Sequence, residues 1–234
     1  MARAQSLAPL ALLLCALPAA SGMARPTSAT AGLAPSWRAD RPRQRLMDIP
    51  KRTRKKLTFI HGAHTIHLVK KENECVNHIL MKALVWATHV DAYSGLEIER
   101  VLIGNRYTPD VVSLDETSGE VVFWGECGRV ELEKIASIVE RFQRARFVFA
   151  KWSINPLGFA GQVSRLIAEG RPAGADAEAA LGHARGSVDV VSVPADSEER
   201  FFSQRKGADA STWVVAVDRA DLNWVRVWPS AAAD

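Results

Sequence analysis

A chain of 234 residues with 47% hydrophobic content has the length and composition of one ordinary globular domain plus a tail or leader. Its net charge of +4 is unevenly placed: residues 1–56 carry 11 basic and two acidic side chains, the rest 19 and 24, so the head stands at +9 and the body at −5. The basic character belongs to the head, and overall charge therefore gives no ground for nucleic-acid binding by the body.

The head reads as targeting sequence. Arg3 precedes "LAPLALLLCALPAASG", which has the length of a signal-peptide core and is too short and too interrupted by proline for a membrane span. "MARPTSATAGLAPSWRADRPRQR" then turns rich in Arg, Ser, Thr and Ala, with no acid before Asp40, as in an organelle transit peptide. The two in series resemble the two-part leaders that address proteins to complex plastids; a secretory signal with a spacer, or a mitochondrial address, are the alternatives. Residues 1–56, ending in the basic run "KRTRKK", are expected to form a disordered leader and linker, followed by one domain over 57–230. No other segment is apolar and long enough to cross a membrane, so the mature form is expected off the membrane. Outside the leader only Cys75 and Cys127 remain, which is neither a disulfide framework nor a CxxC site and suits a reduced compartment.

The body opens with "LTFIHGAHTIHLV", two strand-like runs broken at Gly62. His61, His64 and His67 recur every third residue, a spacing that sends the middle one to the opposite face of a strand and argues against a shared zinc. In "NECVNHILMKALVWATHV", Val76, Ile79, Leu80, Ala83, Leu84, Ala87 and Val90 form one helical face, with Asn73 as candidate N-cap. "LEIERVLIG" reads as a strand, and the Val-rich runs 110–116 and 120–126 as a hairpin. Leu132, Ile135, Ala136, Val139 and Phe142 mark a second helix. "RFVFAKW" follows as a buried strand, parallel to the run ending in Glu126 through a right-handed crossover. "PLGFAGQVSRLIAEG" is helical after Pro156, residues near 171–186 are a loop or insertion, "VDVVSV" is a strand, and "STWVVAVDRADLNWVRVW" closes the body as a hairpin with Trp213, Trp224 and Trp228 as packing residues.

The hairpin in "PDVVSLDETSGEVVFWGECGRVELEK" carries the candidate chemistry. A three-residue loop Thr117-Ser118-Gly119 pairs Glu116 with Glu120, so that partners sum to 236 and Asp110 stands across from Glu126. Opposed Cβ atoms lie about 4.5–5.5 Å apart, a spacing at which two carboxylates can share one divalent cation. Without a counter-charge the two acids repel each other. Either a metal ion or a salt-bridge network through Arg129 and Lys134 would relieve that repulsion.

The order helix, three strands, helix, strand, with "PD" on one hairpin arm and an acid on the other, resembles the PD-(D/E)XK superfamily. Within it, "ENECVNHILMKALVWATHV", the "PD" strand and "WGECG" at 124–128, which is like a Trp-Ile-Glu-x-Gly strand, resemble the YaeQ family over about residues 57–228. The resemblance implies an α/β (α+β) fold: a restriction-endonuclease-like αβββαβ core with a mixed sheet and an extra C-terminal β-hairpin. It further implies Asp110, Glu126 and Glu74 as ligands of Mg²⁺ or Mn²⁺, with Glu72 as a competitor of Glu74 on the first helix. A full motif has lysine at the position of Gly128, and Lys134 is the candidate substitute, a solvated helix flank being its other reading. The implied partner is DNA or RNA, for which Arg129, Arg141 and Arg144 are candidate contacts. A Mg²⁺-dependent nuclease and a catalytically degenerate binding, regulatory or interaction module both remain open.

Overall fold

The computed structural model describes residues 45–169 and 186–228. The proposed targeting segments and nearly all of the expected insertion at 171–186 lie outside the described residues.

Alternation in the first runs of the body builds a hairpin of β1 (Lys55–His61) and β2 (His64–Lys70), with Leu57, Phe59 and Leu68 turned into the core. Gly62, at φ +54°, supplies the left-handed turn between them. The three histidines part as the spacing suggests: the His61 Nδ1 lies 2.9 Å from the Val215 carbonyl, His64 pairs with Asp91, and His67 contacts the Thr58 hydroxyl. The expected leader boundary at 56 moves back. Leu46 and Ile49 are buried in the core, and the Lys70 ammonium donates to the carbonyls of Lys51 and Thr53, so part of the basic run is tied down and its end lies within β1.

Helix α1 (Val76–Ala87) carries the expected apolar face, but Met81, Lys82, Val85 and Trp86 are buried as well. It is apolar nearly all round because it packs against strands of two sheets, and its N-cap is Cys75 rather than Asn73. One sheet, in the order β2-β1-β9-β8, uses the first hairpin with β8 (Phe202–Gln204) and β9 (Thr212–Val215). The other runs β10-β7-β6-β5-β4-β3 and contains β3 (Glu97–Ile98), β4 (Val111–Leu114), β5 (Val121–Cys127), β6 (Arg146–Trp152), β7 (Val188–Val193) and β10 (Asn223–Trp228). Helices α2 (Leu132–Arg141) and α3 (Pro156–Glu169) pack on its far face with Trp124, Phe147 and Phe149, and a short α4 (Ser197–Phe201) leads into β8. Both sheets mix parallel and antiparallel pairs, and the chain is an α+β protein in which α1, β3, β4, β5, α2 and β6 follow one another as expected, with β6 parallel to β5.

Two expectations are corrected here. The C-terminal hairpin does not exist: β9 pairs in parallel with β1 while β10 pairs with β7, each in its own sheet. A turn capped by reciprocal Asp218 and Asp221 bonds redirects the chain between them. The loop of the β4–β5 hairpin is longer than expected, since Asp115 rather than Glu116 pairs with Glu120. That alone would shift the register by one, but Val122 forms a bulge that restores it, and Val111 faces Gly125 and Val112 faces Trp124 as the sum of 236 requires.

At Gly125 the hairpin leaves no room beneath α1, because a Cβ there would lie 3.1 Å from Val85 Cγ1 and 3.2 Å from Val111 Cβ. Gly125→Ala is expected to overpack this contact and cost about 1–3 kcal/mol, measured by chemical denaturation.

Candidate functional site

The register brings Asp110, one residue before β4, opposite Glu126 on β5, yet the two side chains find different partners. The Asp110 Oδ2 accepts from the Cys127 amide at 2.7 Å and from His78 Nε2 at 3.2 Å, and its Oδ1 lies 3.5 Å from the Lys82 ammonium. Glu126 Oε1 accepts from the Lys134 ammonium at 2.7 Å and the Trp124 indole at 2.8 Å. The cations of Asp110 thus belong to α1 and that of Glu126 to α2.

Glu74 joins Asp110 rather than Glu126. Its Oε1 is 2.8 Å from His78 Nδ1 and 2.6 Å from Lys82 Nζ, while Oε2 accepts from the Lys71 amide. Glu72, its competitor on this segment, is exposed. Glu99 completes the group by binding both Lys82 and Lys71; its φ of +51° is a left-handed backbone that costs a non-glycine residue energy. Lys82, 1% exposed, therefore touches three carboxylates, and His78 bridges two of them.

The electrostatics follow. Burial alone would push His78 down, but the bonds to Asp110 and Glu74 raise it to about 9, so the ring is an imidazolium at neutral pH. Burial opposes the charge on Lys82 too, and the Asp110, Glu74 and Glu99 carboxylates overcome it and hold Lys82 above the usual lysine range. Glu74, which burial would raise, is held at about 2 by His78 and Lys82, and Asp110 is lowered chiefly by His78 against the same burial. Glu126 goes the other way: burial raises it, and Lys134 only partly offsets this.

Gly128, where a full motif has lysine, sits at φ +77°, a conformation that favours glycine. Its carbonyl accepts from the Lys151 ammonium of β6 at 2.6 Å, and that ammonium stands 3.8 Å from the centre of the Phe159 ring. Burial lowers Lys151 to about 8. Two lysines, Lys134 and Lys151, thus arrive at the end of β5 from neighbouring elements.

Of the candidate nucleic-acid contacts, Arg129 does not share a surface cleft with Arg141 and Arg144. Arg129 is exposed and pairs with Glu131 in the loop after β5. Arg141 and Arg144 line a cleft of about 590 Å³ with Arg100, Ile103 and Phe142. That cleft includes Glu120, six residues and about 20 Å of strand away from Glu126.

A divalent cation, as implied by the resemblance, does not fit this arrangement as it stands. Glu74 and Asp110 already hold two protein cations between them, and among the described residues no group of three or more His, Cys, Asp or Glu side chains is disposed to bind a metal ion.

No protein-family model and no curated protein matches the chain. Among solved structures it is similar to the YaeQ protein of Pseudomonas syringae, with 14% identity, a TM-score of 0.47 and coverage of 74% of this chain and 88% of that one. It is also similar to the YaeQ protein of Xanthomonas axonopodis pv. citri, with 17% identity, a TM-score of 0.40 and coverage of 63% and 75%. Both of these structures are YaeQ proteins. The family that the sequence motifs resemble is thus the family of these structures. Both come from bacteria, and the organelle or plastid address expected from the leader is withdrawn on that finding.

Sequence reasoning missed His78, Lys82, Glu99 and Lys151. A signal for the first two was present: Glu74, His78 and Lys82 recur every fourth residue, which aligns them along one side of a helix, and Lys82 interrupts an otherwise apolar "ILMKALVWA". Lys82→Met is expected to leave three carboxylates without their shared cation and to cost about 3–5 kcal/mol at neutral pH. In the variant, with His78 and Lys71 still in place, the folded-state carboxylate pKa values should rise above those of the native chain. Its deficit relative to the native chain should therefore shrink as pH falls toward about 4, as read from urea denaturation at several pH values.

Proposed function

We propose that this chain is a binding or regulatory module of YaeQ-like fold that lacks metal-dependent nuclease chemistry. The observation that carries the reading is the buried Lys82 ammonium in contact with Glu74, Glu99 and Asp110. A hard cation seeking Glu74 and Asp110 would have to displace that ammonium and the His78 imidazolium, whose proton it would release into solvent. Fixed charges of the protein do the neutralising that a bound ion would otherwise do, so the acid cluster serves as a junction between α1 and the ends of β4 and β5. The acidic body and the separation of Arg129 from Arg141 and Arg144 also weigh against a continuous basic track for a nucleic-acid backbone, which supplies much of the affinity in such complexes.

A PD-(D/E)XK-type, Mg²⁺- or Mn²⁺-dependent phosphodiesterase acting on DNA or RNA is the second reading. It is favoured by the in-register Asp110 and Glu126 and by the two lysines, Lys134 and Lys151, at the end of β5.

Titration of the protein with Mg²⁺ and Mn²⁺ separates the two, with melting temperature and cleavage of single- and double-stranded DNA and RNA followed together. The module reading expects no cleavage and the same melting response in the native chain and in Asp110→Ala. Cleavage that needs the metal and disappears in both Asp110→Ala and Glu126→Ala would establish the nuclease instead.

A further inference from the structure

The opposite end of the α1-facing side of the large sheet carries a charge cluster of the reverse sign. Asp189 on β7, 1% exposed in its side chain, is the only carboxylate within ion-pair distance of three guanidinium groups among the described residues: Arg146 on β6, Arg226 on β10 and Arg219 from the turn before β10. Arg226 stands directly across from Asp189 in the β7–β10 ladder and Arg146 lies on the adjoining strand, so register brings these three together and the turn before β10 adds Arg219. One carboxylate cannot balance three guanidiniums, and two positive charges remain. Each guanidinium has five N–H donors, whereas the three together make four hydrogen bonds to Asp189. The Arg146 Nε is buried and has no partner at all. Burial and the charges of Arg146 and Arg226 depress the pKa of Arg219, the mark of crowded positive charge.

These arginines do not merely crowd a core. Arg146, Arg219 and Arg226 line an open hollow of about 570 Å³ together with Thr88, His89 and Tyr93. His89 adds a second unmet group. Its Nδ1 lies 2.9 Å from the Val85 carbonyl and so carries the ring proton, which leaves Nε2 as a lone-pair acceptor, buried and without a partner. Burial lowers His89 to about 4, so this acceptor is neutral at physiological pH. The site offers two surplus positive charges, many free donors and one acceptor. Sulfate and carboxylate answer the donors but have no proton for the acceptor. A phosphate group that keeps one P–OH answers both, by the bidentate geometry that suits guanidinium to phosphoryl oxygens and by donating its proton toward an imidazole nitrogen.

We propose that the hollow formed by Arg146, Arg219, Arg226 and His89 is a binding site for a protonated phosphate group, either the free hydrogen phosphate ion or a phosphomonoester. The site is distant from the acid cluster and independent of what that cluster does.

Isothermal titration of the full chain with inorganic phosphate, adenosine 5′-monophosphate, dimethyl phosphate and sulfate tests this. Phosphate or the monoester is expected to bind, with sulfate and the diester weaker by about tenfold or more, the worth of a charge-assisted hydrogen bond or two. A tighter monoester than inorganic phosphate identifies an organic ester as the ligand, and the reverse order identifies the free ion. Arg219→Gln and Arg226→Gln, both at partly exposed positions, should each weaken phosphate by a similar factor, and His89→Phe should remove the preference over sulfate while keeping a ring in place. Absence of phosphate and monoester binding at millimolar concentration, equal affinity for sulfate, or binding indifferent to both arginine variants would overturn the proposal. The comparison of anions uses the native chain, so it decides the matter even if a variant does not fold.

Discussion

One buried ammonium organises the end of this molecule where chemistry was expected. Lys82 lies in the middle of a helix packed between two sheets, and an isolated charge there would be untenable. It is tenable because Glu74 before the helix, Glu99 after β3 and Asp110 before β4 all send carboxylates to it. Each of these acids depends in turn on the cation. Three segments far apart in the chain are thus fixed to one point, and Glu99 holds a left-handed backbone at that point. A network of this kind is weak evidence for net stability, because desolvation consumes much of the Coulomb gain, but removal of one member is costly. Its structural effect is to specify how α1, β3 and β4 meet.

The same sheet face ends in opposite electrostatic states. Near Asp110 the acids and bases balance, with His78, Lys82 and Lys71 answering Glu74, Glu99 and Asp110. Around Asp189 they do not balance, and the surplus is positive and opens on a hollow. A balanced buried network has no need of a ligand, whereas an unbalanced one gains from an external anion. The uncompensated charge therefore lies away from the place where the motifs resemble a catalytic centre.

Much of the fold was legible in the sequence because apolar periodicity and glycine placement are local signals. The order from α1 to β6 and the strand at Val188–Val193 follow from them. The register of Asp110 and Glu126 was obtained correctly through two offsetting departures, a longer loop and the bulge at Val122, neither of which local turn chemistry announces. The C-terminal segment was misread because alternation in β9 and β10 shows that each is a strand and says nothing about its partner; β9 is drawn to β1 by burial of Trp213 and Val215. At the candidate site, spacing placed the acids but not their cations. Which way Asp110 and Glu126 turn depends on His78, Lys82 and Lys134, whose convergence is a tertiary fact. The Asp189 cluster was invisible for the same reason, since Arg146, Asp189, Arg219 and Arg226 become neighbours only through strand order.

The most direct measurement of this charge balance is an NMR titration of the imidazole nitrogens of His78 in the intact protein. Since its folded value is raised from 6.5 to about 9, the ring should remain doubly protonated across neutral pH and lose its proton near pH 9, with the stability it contributes complete below 6.5 and lost as pH rises from there through about 9. A neutral His78 ring at pH 7.5, with a midpoint near 6.5, would show that Glu74 and Asp110 do not share an imidazolium and would contradict the self-neutralised cluster.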